Sequence, residues 1–188
     1  MDRQTALRQY FGYDSFRPGQ EAVVDALLSG RDVLAVMPTG AGKSLCYQVP
    51  ALCLEGTTLV VSPLISLMRD QVEALRQAGV PAACLNSAMD EEAYRSVLRE
   101  AYRGSYKLLY IAPERLDAPA FLSFAQKADI PLVAVDEAHC VSQWGQDFRP
   151  SYLNIPDFLA RLRKRPALGA FTATATPEVR EDIVRRLA

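Results

Sequence analysis

The chain has 188 residues, of which 49% are hydrophobic and 23% charged, and its formal net charge is −1 at neutral pH. This balance indicates one globular domain with a sizeable core, without linkers, repeats or low-complexity segments. The near-zero charge excludes bulk electrostatic attraction to nucleic acid, so any such binding requires a local surface.

The N-terminus and the cysteines indicate what kinds of segment and site the chain lacks. The N-terminus is polar and charged, unlike a signal peptide, and no apolar run approaches membrane-spanning length. The four cysteines are scattered without a C-x-x-C pair, and the chain has a single histidine. We therefore expect reduced thiols, no zinc site and no membrane partner.

Taken in chain order, residues 1–30 have helical character, and apolar strands then alternate with segments of helical periodicity. The predicted strands are 32–37, 58–62, 82–85, 107–112, 131–135 and 168–173. The predicted helices are 45–54, 64–78, 90–102, 118–127, 156–163 and 177–187, and the basic run at 161–165 is expected to be a solvated helix end. This alternation predicts an α/β fold in one domain, with a mostly parallel central sheet, helices on both faces and ligands at the carboxyl ends of the strands.

A glycine-bearing turn, M-P-T-G-A-G-K-S at 37–44, follows the first predicted strand. Backbone N–H groups and the positive end of a helix dipole converge there, which suits a polyphosphate. Lys43 is expected to reach the β- and γ-phosphates and Ser44 to complete a Mg²⁺ shell, so ATP and Mg²⁺ are the predicted cofactors. The strict motif has glycine where Met37 stands, and an ordinary glycine turn is the alternative. The predicted phosphate-binding residues are Thr39, Gly40, Ala41, Gly42, Lys43 and Ser44.

Two adjacent carboxylates, Asp136 and Glu137, follow the doubly apolar strand at 131–135. Asp136 is predicted to hold Mg²⁺ opposite Ser44, and Glu137 to orient and deprotonate the attacking water. An acidic first turn of a helix is the alternative. The combination with Lys43 and Ser44 favours phosphoryl transfer to water.

Together these motifs resemble the DEAH-type, RecA-like (P-loop NTPase) motor domain of superfamily-two helicases, and the remaining stretches are similar to the RecQ family of DNA helicases. The stretch F-R-P-G-Q at 16–20 resembles that family's adenine-recognition motif. By this resemblance Gln20 reads the adenine edge, Tyr13 stacks on its ring and Arg17 lies nearby. Read without the family, the stretch is a helix start with Pro18 at its first position.

Two further stretches match the family's motifs Ia and Ib: S-P-L-I-S-L-M-R-D-Q at 62–71 and I-A-P-E-R-L at 111–116. Each lies where a strand ends and a helix begins, so hydroxyls and N-terminal amides there can hold a DNA phosphate. Simple helix starts are the alternative. The residues implied to contact DNA are Ser62, Pro63, Arg69, Pro113, Glu114 and Arg115.

The stretch C-V-S-Q-W-G-Q-D-F-R-P-S-Y at 140–152 resembles the aromatic-rich loop that couples single-stranded DNA to ATP turnover in RecQ proteins. Its aromatic faces suit unstacked bases, and its arginine offers charge. The alternative is a buried helix face, because Val141, Trp144 and Phe148 are spaced i, i+3 and i+7. The residues implied here are Gln143, Trp144, Phe148 and Arg149.

This stretch departs from the family at Gln146, where many members have histidine. An amide neither titrates nor carries positive charge. The departure puts in question how tightly DNA contact is coupled to hydrolysis.

The stretch F-T-A-T-A-T at 171–176 resembles motif III, which in the family links the γ-phosphate site to DNA. The hydroxyls of Thr172 and Thr174 can hydrogen-bond the segment 136–139 across adjacent strands. His139 is expected to be a hydrogen-bonding relay in catalysis and not a metal ligand. A strand followed by a helix with Thr176 as its N-cap is the alternative.

The resemblance covers residues 7–187 and implies one helicase lobe at 1–188, with an adenine-recognition region at 1–30 and an ATP-binding core at 31–188. The second RecA-like lobe, which supplies an arginine finger in such motors, is absent from this sequence. We therefore expect this lobe alone to bind nucleotide weakly, to hydrolyse it poorly and not to unwind DNA.

Joined to a second lobe, the resemblance implies an ATP-dependent 3′→5′ DNA helicase that acts in repair and recombination on single-stranded and junction DNA. Its expected location is the cytoplasm, at the nucleoid in a bacterium, or the nucleus in a eukaryote. Two alternatives remain open. One is a stand-alone, non-catalytic module that binds nucleotide and single-stranded DNA, and the other is the first lobe of another superfamily-two translocase or P-loop ATPase.

Overall fold

The computed structural model describes all residues from Met1 to Ala188. Six strands form one sheet: β1 (Val33–Val36), β2 (Thr58–Val61), β3 (Ala82–Leu85), β4 (Leu108–Ile111), β5 (Leu132–Val135) and β6 (Ala167–Thr172). Every pairing is parallel, and the order across the sheet is β1-β6-β5-β2-β4-β3. Each strand end lies within one residue of its predicted position, so the predicted parallel α/β sheet is confirmed.

Eight α-helices surround the sheet: α1 (Arg3–Phe11), α2 (Gln20–Leu28), α3 (Leu45–Cys53), α4 (Ile65–Gln77), α5 (Glu91–Tyr102), α6 (Pro119–Ala125), α7 (Ile155–Ala160) and α8 (Pro177–Leu187). Three short 3₁₀ helices lie at Pro113–Arg115, Ala138–Val141 and Pro150–Asn154. None of the α-helices combines the length and hydrophobicity that a membrane span requires.

Both faces of the sheet are covered by helices, as predicted. Successive strand side chains point to opposite faces, so Leu59 and Val61 enter one apolar cluster and Val60 enters another. The first cluster contains side chains from α5, α6, α7 and α8, and the second contains side chains from α2, α3 and α4. The strands are apolar on both sides because neither face meets water.

The sheet order brings the chemistry-bearing stretches to one edge. Neighbouring strands β1, β6, β5, β2 and β4 end, respectively, in the glycine-bearing turn, the threonine-rich stretch, the two carboxylates, and the stretches that begin at Ser62 and Pro113. All five strands run in the same direction, so these endings form a continuous row. The predicted motifs therefore lie side by side at the carboxyl edge of the sheet, where ligands were expected.

Two local expectations are corrected by the fold. Pro18 is not the first residue of a helix, because α2 begins at Gln20 after Gly19, whose φ of 86° requires glycine. The helix predicted at 156–163 ends at Ala160, before the basic run. Within that run Arg165 is not merely solvated, because its Nη2 lies 2.6 Å from Asp32 Oδ2.

Candidate functional site

The turn between β1 and α3 carries Lys43 and Ser44 at the carboxyl edge of the sheet. Gly40 and Gly42 have φ angles of 82° and 79°, a left-handed backbone that glycine adopts without strain. Met37, where the strict motif has glycine, packs its side chain against the apolar cluster on the α3–α4 face. The turn therefore accommodates Met37 by packing its side chain into the apolar cluster.

The end of β5 holds its two carboxylates in a strained backbone. Asp136 N donates to Val61 O at 2.9 Å, which fixes the start of the segment. Glu137 has a φ of 48° and is the one non-glycine residue of the chain with a left-handed backbone. Such a conformation costs about 1–2 kcal/mol and recurs where function requires it. The Glu137 N–H donates to Asp136 Oδ1 at 3.0 Å, which locks the pair together.

The surroundings of Asp136 at this strand end disfavour its charged form. Burial, followed by the adjacent Glu137 carboxylate, raises the pKa of Asp136 from 3.8 to about 6, against the opposing influence of the Glu137 N–H, Lys43 and His139. A divalent cation at this point would neutralise the pair. The carboxylates thus have the character of a cation site.

His139 connects β5 to the neighbouring β6. Its Nδ1 lies 2.8 Å from Thr172 Oγ1 and 3.3 Å from Glu137 Oε2. The Thr172 hydroxyl also lies 3.1 Å from Thr174 O, to which it can donate. The link between segment 136–139 and the threonine-rich stretch is therefore a hydrogen bond between His139 and Thr172.

A cavity of about 640 Å³ lies between the glycine-bearing turn and the carboxylates, a volume within the usual range for small-molecule sites. The predicted residues that line it are Tyr13, Arg17, Thr39, Gly40, Gly42, Lys43, Ser44, Asp136 and Glu137. The ammonium of Lys43 and both carboxylates thus face one space. Ala41 and Gln20 are not among the lining residues.

Gln20 is buried and hydrogen-bonded to the glycine-bearing turn. Its Nε2 donates to Ala41 O at 3.2 Å and to Gly42 O at 3.1 Å, and its Oε1 accepts from Arg17 N at 2.8 Å. Arg17 in turn donates from Nη1 to Gly40 O at 2.6 Å. The amide is engaged within the protein in this structure, so its contact with adenine stays a prediction.

The aromatic-rich loop is not a buried helix, so that alternative is wrong. Trp144 is 74% exposed, and the segment from Gln143 to Arg149 is irregular between two 3₁₀ helices. Gly145 lies so close to His139 O that a side chain there would be crowded. Phe148 is half-buried. The loop thus presents one bare aromatic face.

This loop contacts the stretch after β2 and shares a cavity with two other motifs. Arg149 N donates to Cys140 O at 2.9 Å, closing the loop, and Arg149 Nη1 donates to Pro63 O at 3.4 Å, after β2. A second cavity, of about 780 Å³, is lined by His139, Trp144 and Thr174 among others. The loop is therefore adjacent to both His139 and the threonine-rich stretch.

The remaining predicted DNA residues share the sheet edge but differ in accessibility. Ser62 is buried and its hydroxyl has no hydrogen-bond partner, whereas Arg69 and Glu114 are exposed. The Arg115 guanidinium lies over the ring of Tyr94, 5.0 Å from its centroid. Pro63 is half-buried and Pro113 buried. Their contacts with DNA stay predictions.

Sequence reasoning missed several residues of this region. The Tyr152 hydroxyl donates to Asp136 O at 2.8 Å from a fully buried ring. Gln71 lines the first cavity and accepts from Gln48 Nε2 at 2.8 Å, and Gln48 also donates to the Tyr110 hydroxyl at 3.1 Å. The sequence offered a signal for Gln71, because it is a polar residue on the same helical face as the apolar residues Leu67, Ala74 and Ala78. Tyr152 carried no local signal.

The comparisons with known proteins agree with this geometry. Residues 17–183 match the DEAD/DEAH box helicase family. The ATP-dependent DNA helicase RecQ of Bacillus subtilis (strain 168) is 52% identical over 185 residues, which is 98% of this chain and 31% of that protein. The ATP-dependent DNA helicase RecQ of Haemophilus influenzae is 48% identical and is covered to 29%. The chain thus spans about a third of the length of these relatives.

Solved structures support the fold. A hypothetical ATP-dependent RNA helicase from Sulfolobus tokodaii superposes with a TM-score of 0.75 at 24% identity, over 99% of this chain and 54% of that one. The DUF1998 helicase MrfA bound to DNA superposes with a TM-score of 0.76 at 17% identity, over 99% of this chain and 28% of that one. The predicted RecA-like class is confirmed by these neighbours.

Proposed function

The chain belongs to the DEAD/DEAH box helicase family, and from that premise we propose that it is the ATP-binding first motor lobe of a RecQ-like 3′→5′ DNA helicase. Similarity to RecQ proteins over 98% of the chain supports the subfamily. Within the lobe, residues 1–30 serve adenine recognition and residues 31–188 form the ATP-binding core. A second RecA-like lobe completes the nucleotide site, and single-stranded and junction DNA are the polymer substrate.

One observation carries the proposal. Lys43 and Ser44 come from the end of β1, Asp136 and Glu137 come from the end of β5, and all four line the same cavity. Only β6 separates the two strands in the sheet. A cation and two carboxylates facing one space are the arrangement that phosphoryl transfer to water requires.

The side chains present fit Mg²⁺. Ser44 and Asp136 offer oxygen ligands, the type that this ion prefers, and the raised pKa of Asp136 marks a carboxylate that lacks a neutralising partner. When bound, Mg²⁺ supplies charge neutralisation at the phosphate oxygens and helps orient the triphosphate. Both residues reach the same cavity.

The chain's own residues then divide the chemistry. Lys43 stabilises negative charge on the β- and γ-phosphates, supported by backbone N–H groups of the turn. Glu137 orients the attacking water and takes its proton, and its left-handed backbone aims the carboxylate. His139 is hydrogen-bonded through Nδ1 to Thr172, so a change at the phosphate is relayed to β6.

The DNA side of the proposal rests on the aromatic-rich loop. The exposed Trp144 and the half-buried Phe148 stack on unpaired bases, with Gln143 beside them, and Arg149 contributes charge. The cavity shared by Trp144, His139 and Thr174 supports a short route between DNA and nucleotide. Gln146 cannot become cationic in this loop, so it adds no positive charge to that of Arg149.

The test is ATP hydrolysis by this chain joined to a second RecA-like lobe, measured with and without single-stranded DNA. Lys43→Ala is expected to lower kcat by about 100-fold or more, because it removes a preorganised charge from the transition state. Lys127→Ala, which removes an exposed lysine outside the cavity, is the matched control and should retain turnover. Unchanged hydrolysis in Lys43→Ala would exclude the phosphate role.

The same assay tests the DNA side. Trp144→Ala is expected to lower the ratio of DNA-stimulated to basal turnover, while the melting temperature stays close to that of the parent because the ring is exposed. A large loss of thermal stability would instead make Trp144 a packing residue. This chain without a second lobe is expected to show little turnover and no unwinding, since no arginine finger reaches the site.

A further inference from the structure

Tyr152 has a buried hydroxyl that the proposed mechanism does not use. It lies in the 3₁₀ helix Pro150–Asn154, after the aromatic-rich loop, and its ring is completely buried in the apolar cluster that also contains side chains of α5, α6, α7 and α8. Its hydroxyl donates to Asp136 O at 2.8 Å. Phenylalanine would fill the same apolar space without burying a polar atom, so the packing of the ring does not account for the hydroxyl.

The acceptor belongs to the peptide unit that joins Asp136 to Glu137. A peptide unit is planar, so the direction of its C=O fixes the direction of its N–H and constrains the φ of the next residue. The N–H of this unit donates to Asp136 Oδ1 at 3.0 Å, and its C=O accepts from Tyr152. No backbone N–H bonds to Asp136 O, so the Tyr152 hydroxyl is its one partner in the structure. Both polar atoms of the unit are therefore held.

This peptide unit leads into the strained residue of the site. Glu137 has a φ of 48°, and a left-handed backbone at a residue other than glycine persists only where the surrounding contacts hold it. On its other side, Glu137 O accepts from Cys140 N at 2.9 Å. The Tyr152 bond thus fixes the peptide before Glu137, and the Cys140 bond fixes the peptide after it.

A buried tyrosine of this chain need not have such a bond. Tyr94 on α5 is also buried, and its hydroxyl has no hydrogen-bond partner. Burial raises the pKa of Tyr152 well above its ordinary value, and nearby acidic groups add to the effect, so its hydroxyl stays protonated and able to donate. The bond to Asp136 O is therefore a specific contact and not a general consequence of burying a tyrosine.

We propose that Tyr152 is a positioning residue, whose hydroxyl holds the peptide unit between Asp136 and Glu137 and thereby aims the Glu137 carboxylate into the cavity that is also lined by Lys43. The effect on the backbone is independent of the proposed function. The consequence for ATP hydrolysis rests on that function, because it requires Glu137 to orient the attacking water and take its proton. The two effects are measured separately.

The effect on the backbone is measured in this chain by amide hydrogen exchange, followed for each residue by NMR. In the parent, the Glu137 N–H is expected to be protected, because its peptide unit is held at both polar atoms. Tyr152→Phe keeps the ring and is expected to speed this exchange about fivefold, as for the loss of one net hydrogen bond. The increase should be independent of low urea concentrations, since a local opening exposes little surface.

The effect on hydrolysis is measured in this chain joined to a second RecA-like lobe. Tyr152→Phe is expected to lower kcat for ATP about tenfold and to leave KM within about twofold, because it misplaces a group that acts in the transition state. If Tyr152 acts through Glu137, the same substitution should hardly change the residual turnover of Glu137→Gln. A general loss of structure would lower turnover by the same factor in both backgrounds.

Tyr94→Phe is the matched control, since it removes a buried hydroxyl that has no partner and keeps the ring over which Arg115 lies. It should leave the Glu137 exchange rate and ATP turnover as they are in the parent. Replacement of Tyr152 with p-aminophenylalanine keeps a donor at the end of the ring and should preserve kcat. Thermal melting is recorded for every variant, and each is assayed well below its melting temperature.

Unchanged Glu137 exchange in Tyr152→Phe would overturn the proposal, as would equal losses of turnover with and without Glu137→Gln. A Glu137 N–H that exchanges like a free loop amide in the parent would overturn it even if Tyr152→Phe folds poorly. Faster exchange with unchanged kcat would reject the part of Tyr152 in hydrolysis. Full turnover in Glu137→Gln would instead reject the proposed role of Glu137, and the exchange rates would still decide the backbone role of Tyr152.

Discussion

At the scale of single residues, the least favourable backbone and the least favourable charge occur side by side, at the end of β5. Glu137 has the only left-handed non-glycine backbone in the chain, and Asp136 carries a carboxyl whose pKa burial has raised to about 6. Neither feature helps the chain to fold. Both are expected where a binding site is held ready for a ligand that is to neutralise it.

A pH dependence of stability follows for Asp136. With a folded-state pKa of about 6 against an ordinary value of 3.8, the folded chain binds this proton more tightly, so stability falls as pH rises between these values. The deficit above pH 6 is roughly 3 kcal/mol, at 1.36 kcal/mol per pKa unit. Without nucleotide and divalent cations, we expect Asp136→Asn to be more stable than the parent at pH 7.5 and to lose that advantage towards pH 4.

Urea denaturation at the two pH values measures this difference. Asp117→Asn, at an exposed carboxylate, is the matched control and should show no such pH-dependent gain. An advantage of equal size at both pH values would mean that the amide packs better and that the charge of Asp136 is not the cause.

At the scale of elements, helix starts are determined locally, and α5 is the clearest case. Asp90 has an extended backbone and its Oδ1 accepts from Ala93 N at 2.8 Å, while Glu91 and Glu92 occupy the first turn. These are the residue types that favour a helix N-terminus through capping and the helix dipole. The observed start at Glu91 is one residue after the predicted one.

The cap of α5 gives a prediction for a single element. Asp90→Ala is expected to lower the free energy of unfolding by about 1 kcal/mol, because the N–H of Ala93 loses its partner. Asp90→Asn keeps the acceptor and should be nearly neutral. Denaturant titration of the two variants makes the comparison, and equal losses would mean that the negative charge, and not the cap, stabilises α5.

At the scale of the whole molecule, the parallel sheet assembles the site by bringing five strand ends into one row. The cavity lined by Lys43, Ser44, Asp136 and Glu137 lies at that edge, so under the proposed function this chain reaches a nucleotide from one side. A nucleotide that is contacted on one side only gains little binding free energy. A ligand that binds only the folded chain nevertheless stabilises it in proportion to its saturation.

Mg²⁺-ATP is therefore expected to raise the melting temperature of this chain only at concentrations well above those that saturate a two-lobe motor. At a tenfold excess over Kd the stabilisation is about 1.4 kcal/mol, or roughly 3–5 °C for a domain of this size. Thermal melting with increasing Mg²⁺-ATP measures it. Lys43→Ala should remove the shift and Lys127→Ala should keep it, and a shift that survives in Lys43→Ala would place the nucleotide elsewhere.

The sequence by itself determined which segments become strands and helices and in what order the motifs occur. Burial patterns, caps and glycine turns act over a few residues, so they can be read locally. That is why the strand ends agree to within one residue and why Lys43, Ser44, Asp136 and Glu137 were identified before their cavity was known.

Only the tertiary structure decided the relations between distant residues. Three features depend on contacts between segments far apart in sequence: the place of β6 between β1 and β5, the hydrogen bonds of Gln20 to the glycine-bearing turn, and the exposure of Trp144. No local pattern records such a contact, because its free energy comes from burial and hydrogen bonds that exist only once the chain has packed.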